Sequence, residues 1–214
     1  MQLITVEGNI GTGKSTLAHQ IAEALDFSLM KEPVEENPYL NDFYKDPKGL
    51  AFKMQFWLLH TRFRQHKSSV DHIWKTGQGV VQDRSIYGDQ MFAHQHYLAG
   101  NMSLLDYETY LAHREMTNAQ LLAPHVCIFL EADPARSLER IRTRGRPFEQ
   151  DIPLAYLQGL QERHAELMVD MKRRGSNVVR IDWNEFKPVE EVVQMIGLSH
   201  LLRKKTVEFA LEAQ

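Results

Sequence analysis

Residues Gly8-Asn9-Ile10-Gly11-Thr12-Gly13-Lys14-Ser15 match G-x-x-x-x-G-K-[ST], directly after the apolar run Leu3–Val6 and directly before a helical pattern over Ser15–Leu25. Strand, glycine-rich turn and helix in that order define the phosphate-binding corner of a parallel α/β sheet. The glycines let the backbone turn tightly, so that successive N–H groups point at phosphate oxygens, and the helix adds the positive end of its dipole. In such a corner Lys14 reaches the β- and γ-phosphates and the Ser15 hydroxyl ligates Mg²⁺, with Gly8–Thr16 as the ATP-binding segment. The bland alternative is a turn that merely joins a strand to a helix, and the complete motif in its proper context outweighs it.

Four further apolar, β-branched runs follow: Phe27–Met30, Gly79–Gln82, Val126–Leu130 and Val178–Ile181. The first, third and fourth of the five runs hardly alternate, as parallel strands covered on both faces should. Helical patterns over Leu50–His72, Ser103–Leu122, Pro134–Thr143, Pro153–Arg173 and Pro188–Ile196 lie between or after them. The expected fold is therefore α/β, a P-loop kinase fold with a five-stranded parallel sheet flanked by helices and a short arginine-rich lid. No repeat or Pro/Gly-rich linker divides the chain, so a single domain over residues 1–214 is expected. The Leu198–Leu211 segment, with its Arg203-Lys204-Lys205 cluster, reads as a surface helix.

Composition narrows the setting. With 25 Lys and Arg against 28 Asp and Glu, the net charge of −3 does not suggest a nucleic-acid polymer or an anionic membrane as partner. The lone Cys127 has no partner for an internal disulfide and supplies no thiolate cluster, which points to a reducing compartment. No run approaches the ~18 apolar residues of a membrane span. The N-terminus lacks the layout of a signal peptide, so a cytoplasmic location is expected.

The acceptor side of the reaction is read from three segments. Glu32-Pro33 and Asp83-Arg84-Ser85 follow the second and third runs, at the carboxyl edge of the sheet where ligands of open α/β folds bind. A carboxylate there orients an acceptor hydroxyl and takes its proton, and an arginine neutralises phosphate charge. On the Pro134–Thr143 helix Arg136, Arg140 and Arg144 share one face, so their mutual repulsion calls for an anion; Gly145 then breaks the helix and Arg146 continues into a loop. The alternatives are a loop ion pair for Asp83 and a solvated basic face for the arginines. No Asn-Lys dipeptide is present to read guanine as GTPases do, which leaves a small-molecule kinase as the leading class. His94 and His96 point to different helix faces and make a poor metal pair, and His60 and His113 lack ligand spacing. Cys127 reads as core, and Phe56, Trp57 and Phe63 as core or pocket lining.

Together, Gly8–Thr16, Glu32-Pro33-Val34, Asp83-Arg84-Ser85 and Arg140–Arg146 resemble the deoxynucleoside kinases. Glu35-Glu36-Asn37-Pro38-Tyr39-Leu40 and Asp83-Arg84-Ser85-Ile86-Tyr87-Gly88-Asp89 are most similar to the bacterial deoxyadenosine/deoxyguanosine branch. The resemblance runs from about residue 2 to residue 196. It implies ATP and Mg²⁺ as cofactors, a small-molecule deoxynucleoside as substrate and a homodimer. Glu32 is similar to the residue that contacts the sugar 5′-hydroxyl as base, a role some relatives give to the position of Asp83, so both stay open; Arg84 touches the same hydroxyl. Tyr44 and Glu149 resemble the pair that holds the 3′-hydroxyl, and Gln55, Arg62 and Asp89 match positions that read the base. Arg140, Arg144 and Arg146 match the lid, and Asn184-Glu185-Phe186 resembles the loop beside the ATP adenine. A purine is the expected base, with deoxycytidine compatible, because Gln55 offers an acceptor and two donors.

Two rival readings accompany this one. A thymidylate-type nucleoside monophosphate kinase shares Glu-Gly before the loop and an Asp-Arg pair, but needs an acceptor-side arginine such as Arg62 or Arg64. A non-catalytic nucleotide-binding assembly module would be favoured by loss of Lys14, Glu32 or Asp83, and all three are present. Leu104, Leu105, Tyr107, Tyr110 and Leu111 form an apolar set that serves either as core or as a dimer surface.

Overall fold

The computed structural model describes residues 2–34, 36–43 and 45–202, with Phe148 described by its backbone alone. The chain runs β1 (Leu3–Gly8), α1 (Lys14–Leu25), β2 (Ser28–Met30), α2 (Leu40–Phe43), α3 (Pro47–Thr76), β3 (Val80–Asp83) and α4 (Asp89–Leu98). It continues through α5 (Leu104–Asn118), β4 (Val126–Glu131), α6 (Pro134–Arg144), α7 (Leu154–Arg173), β5 (Asn177–Asp182) and α8 (Val189–Met195). The five strands form one sheet in the order β2-β3-β1-β4-β5, every pair parallel.

β1, β3 and β4 are buried almost end to end, which is why they read as continuous apolar runs, whereas β5 at the edge is half-exposed. One face of the sheet packs on Leu17, Ile21 and Leu25 of α1 and on Val192 and Val193 of α8, with Ile196 just past its end. The other meets α3, α4, α5 and α7 through Leu59, Met91, Tyr110, Leu160 and Met171. Cys127 is buried in β4 and its thiol is pushed up to about 12 by that burial, so it is the inert core residue expected.

Helix ends depart from the sequence reading where capping residues decide them. The long helix begins at Pro47, not Leu50, because the Asp46 side chain accepts from the Gly49 N–H and proline suits the first helical position, and it runs to Thr76 before Gly77 closes it. Ser103 is the cap of α5 rather than its first residue, in a reciprocal capping box with Asp106, and the helix stops at Asn118, short of Leu122. Phe27 falls outside β2, since Asp26 turns left-handed and the Phe27 N–H returns to the Ala22 carbonyl. Of the Leu198–Leu211 segment, a single 3-10 turn at Ser199–Leu201 is described, and residues 203–214, with the basic cluster, lie outside the described residues. Leu104 and Leu105 are exposed, while Tyr107 and Tyr110 belong to the core. Among the described residues no helix is long and apolar enough to cross a membrane.

Candidate active site

The sheet register brings the motif-bearing loops together. Val6 of β1 pairs with Asp83 of β3, and the Arg84 N–H extends the ladder to the Val6 carbonyl, so the loop after β3 starts beside the loop after β1. Between Gly8 and Lys14 the chain folds over itself. Asn9 donates to the Leu157 carbonyl at 2.8 Å and accepts from Ile10 N–H, and Thr12 donates to the Asn9 carbonyl at 3.0 Å. Gly11 has φ 79°, and an added Cβ there would lie 2.4 Å from the Ser137 carbonyl of α6, so only glycine lets α6 close over the loop.

Lys14 is buried and donates to the Asn9 carbonyl at 2.6 Å. Burial and the neighbouring Arg84 push its ammonium down to about 7, against the pull of Asp83 and Glu32. A bound triphosphate would supply the counter-charge that restores the fully charged form.

A cavity of about 370 Å³ opens at this edge, within the range of small-ligand pockets. Ile10, Gly11, Gly13, Lys14, Ser15 and Thr16 form one end, while Glu32, Arg84, Gln55, Arg62 and Glu149 line the other walls. Gly8, Asn9 and Thr12 lie beneath it, fully buried. Its apolar lining comes from Val34, Leu40, Phe43, Met54, Leu58, Phe92 and Tyr156. Phe56, Trp57 and Phe63 do not line it.

Glu32 sits between two arginines. Arg62 donates to Oε1 and Arg84 Nε donates to Oε2 at 3.1 Å, while Arg84 Nη1 is anchored on the Gly8 carbonyl at 2.9 Å. Burial alone would raise Glu32, but Arg84, Arg62 and Lys14 together hold its carboxyl below the usual range. Asp83 differs. It pairs with the Ser15 hydroxyl, faces an adjoining pocket with Thr16 and His19 rather than the main cavity, and burial together with the Glu32 charge raises it. Asp89 departs from the expected base-reading role: it is fully buried behind Arg62, bonded to that guanidinium and to the Tyr110 hydroxyl at 2.6 Å, with its carbonyl taken by Gln55.

The arginine face of α6 needs no anion to hold it. Arg136 pairs with Glu139 and Glu185, Arg140 donates to the Trp183 and Asn184 carbonyls, and Arg144 bonds to Glu149. The sequence reading saw the repulsion along the helix but not the partners that the β5–α8 loop and residue 149 supply. Arg140, Arg144 and Arg146 nonetheless line the cavity, as expected of a lid. Phe186 lines it as well, with the Arg140 guanidinium 4.3 Å from its ring centre. Asn184 instead caps the start of α6 through the Asp133 N–H, and Glu185 is exposed. Glu149 is buried against Arg144 and Arg146; Tyr44 and Glu35 lie outside the described residues.

Two buried groups, Glu7 and His164, have no role in the sequence reading, and a third, His96, enters it only as a poor metal ligand. Glu7 accepts the Ser85 N–H at 2.8 Å and the Ser85 hydroxyl at 2.5 Å, which pins the turn holding Arg84 at φ 65°. Burial raises Glu7, opposed by Arg84. A carboxylate at the carboxyl end of an otherwise apolar strand was the available signal. His96 lines the cavity against the Phe43 ring, and burial pushes it down to about 4. His164 packs on Phe129, and burial with Arg84 and Lys14 pushes it down to about 3.

Both histidines fold with values below the ordinary 6.5, so the unfolded chain takes up protons first on acidification. Their contribution to stability is complete above about pH 6.5 and is lost toward pH 4, at up to about 1.4 kcal/mol per pH unit for each. Denaturant unfolding of the wild type and His164→Leu between those pH values should show a flatter slope for the variant; identical slopes would contradict a neutral buried His164.

A glycine-rich phosphate corner, a carboxylate held by arginines in the same cavity and a lid helix with inward arginines define a P-loop kinase that phosphorylates a small acceptor. The family model for deoxynucleoside kinase matches residues 4–198. The chain belongs to the deoxynucleoside kinase family. It is 37% identical to a Dictyostelium discoideum deoxyguanosine kinase over 92% of this chain and 69% of that one. It is 40% identical to the Bacillus subtilis deoxyadenosine/deoxycytidine kinase over 91% of each chain. The solved structure of an M. mycoides deoxyadenosine kinase with bound dATP superposes with TM-score 0.80 at 27% identity, covering 92% of this chain and all of that one.

Proposed function

We propose that this chain transfers the γ-phosphoryl group of ATP to the 5′-hydroxyl of a purine 2′-deoxynucleoside, deoxyadenosine or deoxyguanosine, with deoxycytidine as a further acceptor. One observation carries this reading: Lys14 at the phosphate end and Glu32, Gln55 and Arg62 at the acceptor end line a single cavity. The hydroxyl oxygen attacks the γ-phosphorus in line, the bond to the β-bridging oxygen breaks with its electrons leaving on ADP, and the hydroxyl proton passes to Glu32. Lys14 and the lid arginines Arg140, Arg144 and Arg146 meet the charge on the transferring group. Arg84 holds Glu32 toward the hydroxyl, and Glu149, together with Tyr44, holds the sugar 3′-hydroxyl.

The donor set fits Mg²⁺. Ser15 and Asp83 present hard oxygens side by side, and Asp83 Oδ1 is buried with no hydrogen-bond partner. When bound, the ion would neutralise negative charge on the triphosphate.

Gln55 keeps its buried Oε1 free as an acceptor and commits one donor to Asp89, a pattern that suits the amino group of adenine or cytosine. The names of the B. subtilis relative and the dATP-bound M. mycoides protein support both bases and a nucleotide donor. The thymidylate-type reading is weakened by geometry: Arg62 is committed to Glu32 and Asp89, and Arg64 is exposed away from the cavity. Retention of Lys14, Glu32 and Asp83 in one cluster supports catalysis over a purely structural module.

The same reading makes the chain one kinase domain and a cytoplasmic enzyme of deoxynucleoside salvage, with no nucleic-acid polymer or membrane as partner. It is a homodimer, for which exposed Trp74, Leu105 and Leu122 offer apolar surface. A kcat/KM panel with the four deoxynucleosides tests the acceptor: deoxyadenosine should lead, deoxyguanosine and deoxycytidine should both be turned over, and thymidine should be poorest. A preference for thymidine would overturn the assignment of Gln55 and Arg62.

A further inference from the structure

α4 runs along the acceptor wall and spans the length of a nucleoside. At its first residue the Asp89 carbonyl accepts from Gln55 and the Asp89 carboxylate from Arg62, so the base-reading groups gather at that end. Phe92 and His96, one and two turns further along the same side, both line the cavity. At 1.5 Å per residue His96 stands about 10 Å along the axis from Asp89, comparable with the distance from the amino edge of a purine to its sugar. Its neighbours belong to that far end. The imidazole lies between the rings of Phe43 and Tyr156, with centres 5.1 and 6.1 Å away. Tyr156 is in the first turn of α7, shortly after Glu149, and packs with Ile10 of the phosphate loop on the same apolar cluster.

His96 is 2% exposed, and burial keeps its ring uncharged at neutral pH. Nδ1 is buried without a hydrogen-bond partner among the described residues. A neutral imidazole carries one N–H and one bare nitrogen. An unpaired buried N–H is the rarer arrangement, so Nδ1 is the bare nitrogen and Nε2 carries the proton. A 2′-deoxyribose has a single hydroxyl besides the one that reacts, and so a single partner for a donor at this end. We propose that His96 is a further sugar-reading residue: its Nε2–H donates to the 3′-oxygen of the acceptor, whose own hydrogen goes to Glu149. This inference rests on the kinase reading above and adds a residue to its sugar subsite. An apolar side chain of the same length would keep the contact with Phe43 and lose the hydrogen bond.

The test uses wild type, His96→Met and His96→Gln with deoxyadenosine and 2′,3′-dideoxyadenosine, which lacks only the 3′-hydroxyl. The kcat/KM ratio of the two substrates is taken within each preparation, so a partly misfolded variant does not distort it. In His96→Met the ratio should fall about three- to tenfold, the factor for one neutral hydrogen bond, with the loss confined to deoxyadenosine. His96→Gln, whose amide can place an N–H where Nε2 stood, should recover part of it. Equal losses for both substrates, as a packing role would give, would overturn the proposal, and so would a glutamine variant no better than the methionine one. A second measurement needs only wild type and no turnover. The His96 Nε2 resonance should shift further with deoxyadenosine than with the dideoxynucleoside at saturation, and equal shifts would contradict the bond. Failure of wild type to phosphorylate deoxyadenosine would instead remove the kinase reading itself.

Discussion

Replacing Glu32 by glutamine is expected to lower kcat for deoxyadenosine by about 10²–10⁴-fold, the range for loss of a general base. Affinity for an ATP analogue should hold, because the phosphate corner is built from residues 8–16 and does not hang on the Glu32 carboxylate. The physical basis is the contrast between the two carboxylates. Glu32 is kept ionised by Arg84, Arg62 and Lys14 within the acceptor cavity, whereas Asp83 is raised and turned to Ser15. Steady-state kinetics with a nucleotide-binding measurement on the same preparation decide the matter. Near-normal turnover in Glu32→Gln would move the proton acceptor to Asp83.

The largest stability effect is expected at Arg62. Arg62→Met leaves Asp89, fully buried, with only the Tyr110 hydroxyl on its carboxylate and no counter-charge. Breaking a buried pair from one side costs about 3–5 kcal/mol. At roughly 2–4 °C per kcal/mol for a chain of this size, the melting temperature should fall by about 6–20 °C. Adding Asp89→Asn should recover most of that loss, since the amide oxygen still accepts from Tyr110 and no orphan charge remains. A single variant that melts with the wild type would contradict a stabilising buried Arg62–Asp89 contact.

Much of this site was legible in the chain because it depends on strand ends. Apolar runs locate β1, β2 and β3, and the residues just past each run, Gly8–Ser15, Glu32 and Asp83-Arg84, necessarily collect at one edge of a parallel sheet. What spacing cannot convey is which distant loop completes a local pattern. Arg136, Arg140 and Arg144 form a repelling stripe in sequence, yet their partners come from residues 183–185 and 149. Likewise Asp89 and Arg62 can be paired from family pattern, but only packing against Tyr110 puts Asp89 behind the cavity wall. Which aromatic side chains line the cavity is likewise not legible from spacing, which leaves Phe56, Trp57 and Phe63 open between core and pocket. On α3 Phe56, Trp57 and Phe63 fall on faces turned from the cavity, and Phe43, Phe92 and Tyr156 come from three other helices.

The most direct measurement is product analysis after incubation of the wild-type chain with ATP, Mg²⁺ and either deoxyadenosine or deoxyadenosine 5′-monophosphate. One ADP and one 5′-monophosphate should form per deoxyadenosine consumed, with the monophosphate left untouched as an acceptor. Phosphorylation of the monophosphate in place of the nucleoside would contradict a site in which Glu32 receives the proton of a free 5′-hydroxyl.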